Sequence, residues 1–275
     1  MTLDAATSDP KDPDRSAVTA DLCIVTASND DECLARNLMA SDMVRDGVPV
    51  HVERGAPSAS VAYNRGLDAT AAPIVIFAHQ DVYFPPGWEG RLAAAIAAVE
   101  ARDPDWGVIA PFGMSREGRH LGDVWSTSQS GRVGRKVDAP QPVQSVDELV
   151  IVLRRASGLR FDEGLPLYHL YGTDIVQIAL AAGKGAWVAD LPLVHNDGFH
   201  DRLRADFSAG YHYVRRKWRD KLPLRTPVLW VSPKGWELPK YRLRAWRSTA
   251  RRRAMAGDAG ADPRTYSAAC GWERD

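Results

Sequence analysis

The stretch "PIVIFAHQDVYFPPGW", residues 73–88, constrains this chain more than any other. Ile74 to Ala78 is apolar at every position. A strand with no polar face has to be covered on both sides, which places it inside a sheet with helices above and below. The run then stops at His79, Gln80 and Asp81, ahead of a Pro-Pro-Gly turn. A carboxylate at the end of a buried strand costs desolvation energy unless it is paired or bound to a cation.

The flanking segments repeat the same logic. "DLCIVTASND" gives a strand over Leu22 to Val25, and "DDECLARNLMASDMV" a helix, with Cys33, Leu34, Leu38, Met39 and Val44 at helical spacing. "VPVHVE" alternates as a second strand, and "SASVAYNRGLDATAA" is a second helix. After the apolar run come the helix "GWEGRLAAAIAAVEAR" and the strand "WGVIAPFG". Strands and helices thus alternate through about the first 115 residues. That predicts an α/β fold with an open, mostly parallel central sheet and helices on both faces. Residues 115–142 show no clear period and read as loops or a β-excursion. Order returns with a strand at Leu149 to Leu153, the helix "YGTDIVQIALAAGKG" and one last strand, "AWVADLPLVHN", which delivers His195. Residues 1–20 read as a disordered leader, 21–200 as the α/β domain, and 201–275 as a basic helical C-terminal extension.

Ligands of open α/β sheets bind beyond the carboxyl ends of the strands, so the polar residues closing each strand matter most. In an extended strand His79 and Asp81 point to the same side and can reach one borderline divalent ion such as Mn²⁺. The competing role is a turn cap for Asp81 beside a hydrogen-bonded His79. Asp174 lies in the first turn of a helix, where carboxylates are favoured anyway, yet a carboxylate held there over a cleft can act as a general base. His195 is either a structural histidine or, if its strand closes beside Asp81, a third ligand.

Bulk properties narrow the function. In 275 residues, 45% are hydrophobic and 25% charged, which is ordinary for a globular protein. The formal charge is +0, so nothing global points to nucleic acid. Cys23, Cys33 and Cys270 form no CxxC pair and fit a reducing cytoplasm. No run is long enough for a membrane span. The balance of charge hides an asymmetry: Tyr211 to Arg253 holds fourteen Lys or Arg against Asp220 and Glu237. Trp218, Trp230, Trp236 and Trp246 recur among these cations. Three roles are open for this segment: peripheral contact with the inner face of a membrane, an acceptor or homo-oligomer contact, and a basic helical pair packed on the domain.

Taken in order, "SASVAYNRGLDATAAPIVIFAHQDVYFPPGW", "WGVIAPFG", "VQSVDELVIVLRR", "LRFDEGLPLYHLYGTDI" and "LPLVHN" resemble the GT-A glycosyltransferases. The likeness is to a family-2-like branch that carries HQD in place of the usual Asp-x-Asp, and it covers about residues 20–200. It implies a hexosyl transfer from a nucleotide-diphospho-sugar to a saccharide or lipid-linked acceptor, inverting and metal-assisted, in polysaccharide or glycoconjugate synthesis. It implies that Thr26, Ala27, Ser28, Glu53, Asn64, His79, Gln80 and Asp81 hold the donor nucleotide, and that His169, Tyr171, Gly172 and Thr173 face the acceptor or sugar. Asp81, His195 and His79 would bind Mn²⁺ or Mg²⁺, and Asp174 would deprotonate the acceptor. His79 stands where the usual motif has its first Asp and adds no negative charge, which puts metal dependence in question. Two other classes stay open: a non-catalytic nucleotide-sugar binder on the same fold, and a nucleotidyltransferase. The acidic "TASNDDE" after the first strand, where a nucleotidyltransferase carries a Gly-rich basic loop, argues against the latter.

Overall fold

In the computed structural model, which describes residues 21–199 and 205–273, the apolar run is the strand Ile74–His79. Its residues Val75 to Ala78 have no exposed surface. Seven strands form the central sheet, in the order Gln141–Pro142, Gly185–Val188, Trp106–Ala110, Val150–Arg154, Ile74–His79, Leu22–Ala27 and Val50–Glu53. Five share one direction; Val150–Arg154 runs against both its neighbours, and Gln141–Pro142 is reversed at the edge. The leader expected over residues 1–20 lies outside the described residues.

Alternation along each strand sends residues to two cores. Val25, Val75, Phe77 and Ile151 face the helices Ala59–Ala69, Tyr171–Ala181 and Ala205–Lys217. Ile24, Ile76, Ala78 and Val152 face Asp31–Arg36 and Trp88–Glu100. The helices start where side-chain caps allow: Asp30 accepts from the Cys33 N–H and Ser58 from the Val61 N–H.

The structure departs from the expected elements in two places. The single helix expected after the first strand is broken into Asp31–Arg36, a 3-10 turn Leu38–Ala40 and Asp42–Arg45. Asn37 causes the break: its amide bonds the Cys33 carbonyl, and its oxygen accepts from Asn196. The last expected strand is two strands. Gly185–Val188 belongs to the central sheet, and Leu193–His195 to a four-stranded sheet with Val82–Tyr83, Val124–Ser126 and Gly131–Val133. Of the two forms open for residues 115–142, loops or a β-excursion, the structure takes the second, supplying His120–Gly122, Val124–Ser126 and Gly131–Val133.

Beyond residue 204 the chain forms Ala205–Lys217, a hairpin of Leu224–Arg225 with Trp230–Val231, and the helices Glu237–Met255 and Pro263–Ala269. Phe207, Tyr211, Val214, Leu224 and Leu238 join the same core as Phe77 and Ile175. The basic segment is therefore welded to the sheet rather than trailing from it. Among the described residues no helix is long and apolar enough to cross a membrane.

Candidate metal centre and transfer site

Two strand pairings assemble the centre. Ile74–His79 delivers His79 at the carboxyl end of the sheet, and the chain then turns through Asp81 into Val82–Tyr83. Leu193–His195 pairs antiparallel with that short strand, setting His195 opposite Val82, and the Asn196 N–H bonds the Asp81 carbonyl at 2.8 Å. One ligand atom from each of His79, Asp81 and His195 then lies within 4.8 Å of the others. His195 Nε2 is 3.4 Å from Asp81 Oδ1, and His79 Nδ1 is 3.9 Å from the same oxygen.

The outer ring nitrogen of His79 is held by a hydrogen bond, and that of His195 faces a carboxylate without bonding it. Tyr171 Oη lies 2.7 Å from His79 Nε2. Asp197 Oδ1 lies 3.9 Å from His195 Nδ1 and accepts from Ser126 Oγ and the Ser128 N–H. An imidazole with one nitrogen held and the other turned to a carboxylate, as in His79, is how proteins present histidine to a metal. Two nitrogens and one carboxylate oxygen suit a borderline divalent ion. The set fits the cation that the sequence resemblance implies.

In the metal-free protein the same groups pair with one another, and a cation would have to displace the proton of His195. Burial raises the Asp81 carboxyl, but His195 and His79 outweigh it and hold the group well below the usual carboxylate range. Burial lowers His195, yet Asp81 and Asp197 push it up to about 10. Burial lowers His79 despite Asp81. One carboxylate is thus kept ionised between two imidazoles of opposite tendency.

Sequence reasoning missed two acids at this end of the sheet. Val150–Arg154 runs opposite to its neighbours, so it begins where they end, and the His79 N–H bonds the Leu149 carbonyl at 3.0 Å. Asp147 and Glu148 therefore arrive beside the histidines, and Asp147 acts electrostatically on both. Burial, with help from Asp147, pushes Glu148 up to about 8, while the N–H groups of Gly172 and Leu170 pull it back. The signal was present in "SVDELVIV", paired acids directly before an apolar strand. It becomes legible only once that strand is known to be antiparallel. Tyr171 ties these parts together, donating to the Glu148 carbonyl at 3.2 Å and standing against Tyr63.

Asp174 follows one turn after Tyr171 on the helix Tyr171–Ala181 and is 1% exposed. Lys217 Nζ donates to its Oδ2 at 2.8 Å and Trp218 Nε1 to its Oδ1 at 2.6 Å. Lys217 also reaches Asp162 Oδ2 at 2.6 Å, and Tyr213 donates to that same oxygen at 2.8 Å. Burial raises the Asp174 carboxyl, and Lys217 and Trp218 draw it back.

The other expected residues divide. Gln80 Oε1 accepts from Ser28 Oγ and from the N–H groups of Asn29 and Asp30, so Gln80 shapes the loop after the first strand. Thr26 is fully buried with its hydroxyl unpaired, and Ala27 ends its strand level with His79. Glu53 is engaged by His51 at 2.7 Å. Asn64 has both amide hydrogens and its oxygen used inside the protein, on Phe161 and Glu163, so its polar atoms are committed to fixing that turn. His169 turns toward Asp206 at 3.5 Å. Gly172 packs so tightly that a Cβ there would meet the Val146 carbonyl at 2.6 Å, and Thr173 is fully buried with an unpaired hydroxyl. A cavity of about 570 Å³ opens elsewhere, among Arg116, Arg119, Arg135, Lys136 and Trp187, and none of the three ligand residues lines it.

No family model matches the chain. A curated relative, "ATP synthase subunits region ORF 6" of Fuscovulum blasticum, is 29% identical over 159 residues, covering 52% of this chain and 60% of the relative. The chain thus spans about 60% of the length of that relative. Among solved structures it is similar to the mannosyltransferase PcManGT from Pyrobaculum calidifontis in complex with GDP-Man and Mn²⁺, with a TM-score of 0.42, 14% identity, and coverage of 92% of this chain and 81% of that one. It is also similar to TarS 1-349 from S. aureus, with a TM-score of 0.35, 13% identity, and coverage of 62% and 60%. A third is the inositol-1-phosphate CTP transferase from T. maritima, with a TM-score of 0.35, 14% identity, and coverage of 64% and 89%. The solved structures that resemble this mixed α/β chain thus include glycosyltransferases and a nucleotidyltransferase.

Proposed function

We propose that the chain is a metal-assisted, inverting glycosyltransferase of GT-A type that moves a sugar from a nucleotide diphosphate to an acceptor hydroxyl in polysaccharide or glycoconjugate synthesis. One observation carries the reading: His79, Asp81 and His195 converge at the carboxyl ends of the strands, with His79 held from behind by Tyr171. A divalent ion bound there, Mn²⁺ or Mg²⁺, supplies positive charge where a diphosphate leaving group becomes negative. Asp81 would provide the one anionic ligand, Tyr171 fixes the ring of His79, and Asp197 sets negative charge beside that of His195. The donor nucleotide lies along the strand ends Thr26 to Ser28, Glu53 and His79 to Asp81, and the acceptor approaches over His169 to Thr173.

Asp174 is the base of this reading. Lys217 and Trp218 fix both its oxygens, and it takes the acceptor proton by exchanging one of those bonds for the incoming hydroxyl. Glu148 offers a second reading for the same step. Its carboxyl, pushed to about 8, titrates near neutral pH, as a general acid or base should. A nucleotide-sugar binder without turnover, or a nucleotidyltransferase, would use the same metal centre.

A thermal-shift screen of nucleotide diphosphates and their sugars with Mn²⁺, followed by a transfer assay with the stabilising donor, tests the proposal. Stabilisation by at least one diphosphate and sugar release from its conjugate are expected. Stabilisation without turnover on any acceptor leaves the binder, and pyrophosphate release from a nucleoside triphosphate leaves the nucleotidyltransferase.

A further inference from the structure

The uncovered apolar surface of the C-terminal segment is organised along one helix. Trp236 is 62% exposed, Leu243 47% and Trp246 72% on Glu237–Met255 and its N-cap. At about 100° per residue, Trp236, Pro239, Leu243, Trp246, Ala250 and Ala254 fall within about 80° of arc. All six are exposed. Lys240, Arg244, Arg247 and Arg251 fill the adjoining arc, and Arg244, Arg247 and Arg251 form no ion pair among the described residues. The opposite side is where Leu238 and Ala245 are buried. The helix holds seven Lys or Arg and a single acid, Glu237, which pairs with Lys240 at 3.5 Å. Trp230, 43% exposed with Arg225 stacked 4.3 Å from its ring, extends the aromatic surface beside the helix start.

We propose that this face docks the protein on an anionic lipid bilayer, with the helix lying in the interface plane. An apolar stripe bordered by arginines on a helix of low overall hydropathy is the form that interfacial helices take, the rings entering the headgroup layer and the cations meeting lipid phosphate. A second copy fits poorly, because a twofold contact would set one arginine row against its duplicate. Nucleic acid has no use for an uninterrupted apolar row of this kind. The inference stands on the surface alone and does not need the catalytic reading. It has a consequence for the site: Gly257, just past the helix, bonds the Thr127 carbonyl, and the neighbouring Ser128 N–H holds Asp197 behind His195. Docking by this face fixes the metal centre relative to the membrane, where an acceptor on a lipid carrier is presented.

Sedimentation of the full chain with vesicles tests this. Vesicles of phosphatidylcholine alone are compared with an equal mixture of phosphatidylcholine and phosphatidylglycerol. Pelleting with the anionic vesicles is expected, weakened by raised salt. The apolar variant Trp236→Ala/Leu243→Ala/Trp246→Ala and the charge variant Arg244→Glu/Arg247→Glu/Arg251→Glu should each reduce it at least about ten-fold, with melting temperature unchanged because every altered side chain is exposed. Absence of pelleting overturns the proposal, as does pelleting that both variants leave intact. A dimer in solution that the apolar variant abolishes, or retention of RNA or duplex DNA without vesicle binding, overturns it too.

Discussion

Asp174 and Lys217 form a buried ion pair, 2.8 Å from Nζ to Oδ2, with 2% of the carboxylate side chain and 24% of the lysine exposed. It ties the helix that carries Tyr171 to the helix that opens the basic segment. Asp174→Asn keeps the shape and a bond to Lys217 or Trp218 but cannot take a proton. It should bind donor normally and lose turnover by about 10²–10⁴-fold. Normal transfer by Asp174→Asn together with loss in Glu148→Gln would move the base to Glu148. Lys217→Met should lower stability by about 3 kcal/mol in urea unfolding, since an unpaired buried carboxylate remains.

Glu148 gives the metal-free protein a pH signature. Its carboxyl is raised from 4.5 to about 8 by burial and Asp147. Between those values the folded chain holds a proton that the unfolded chain has lost. The group's contribution is therefore complete below 4.5 and is lost as pH rises through about 8. Glu148→Gln should flatten the fall in melting temperature across that window. An unchanged slope would show that Glu148 is ionised in the folded state.

Asp197 is not itself an expected ligand, yet its carboxylate lies 3.9 Å from the ring of the expected ligand His195. Asp197→Asn should weaken Mn²⁺ binding by about 10–100-fold, as removal of such a backing group does elsewhere. Titration calorimetry reads this without any turnover, and unaltered affinity would remove Asp197 from the site.

Asn64 separates a positioning role from a contact role. Asn64→Ala leaves the Phe161 N–H and carbonyl without their partner, so it should cost about 1–3 kcal/mol in chemical denaturation. A variant of undiminished stability with weakened nucleotide binding would instead make Asn64 a direct contact.

Much of the fold was legible because burial writes itself into sequence. The all-apolar run at Ile74 to Ala78 could only be a covered strand, and the alternation of strands and helices up to Ala110 followed. The triad was legible in part: His79 and Asp81 were expected side by side on one extended strand, but the strand stops at His79 and a turn at Gln80 and Asp81 brings the carboxylate round, and His195 needed a pairing with Val82 that no local pattern encodes. The direction of Val150–Arg154 was not legible, because an apolar strand reads the same either way. Asp147 and Glu148 were missed with it. The partners of Asp174 were hidden for a similar reason, since Lys217 and Trp218 looked like members of a basic run rather than the lining of a buried carboxylate.

Asn196 directly follows His195 and is almost fully buried. Its amide donates to Asn37 and to the carbonyls of Ala259 and Ala261, its oxygen accepts from Thr127, and its own N–H bonds Asp81. One residue thus ties the Asp81 turn, through its backbone, to the carbonyls of Ala259 and Ala261, through its carboxamide. Trimming the protein after Met255 would remove those two partners, so the placing of His195 depends on chain beyond the long C-terminal helix.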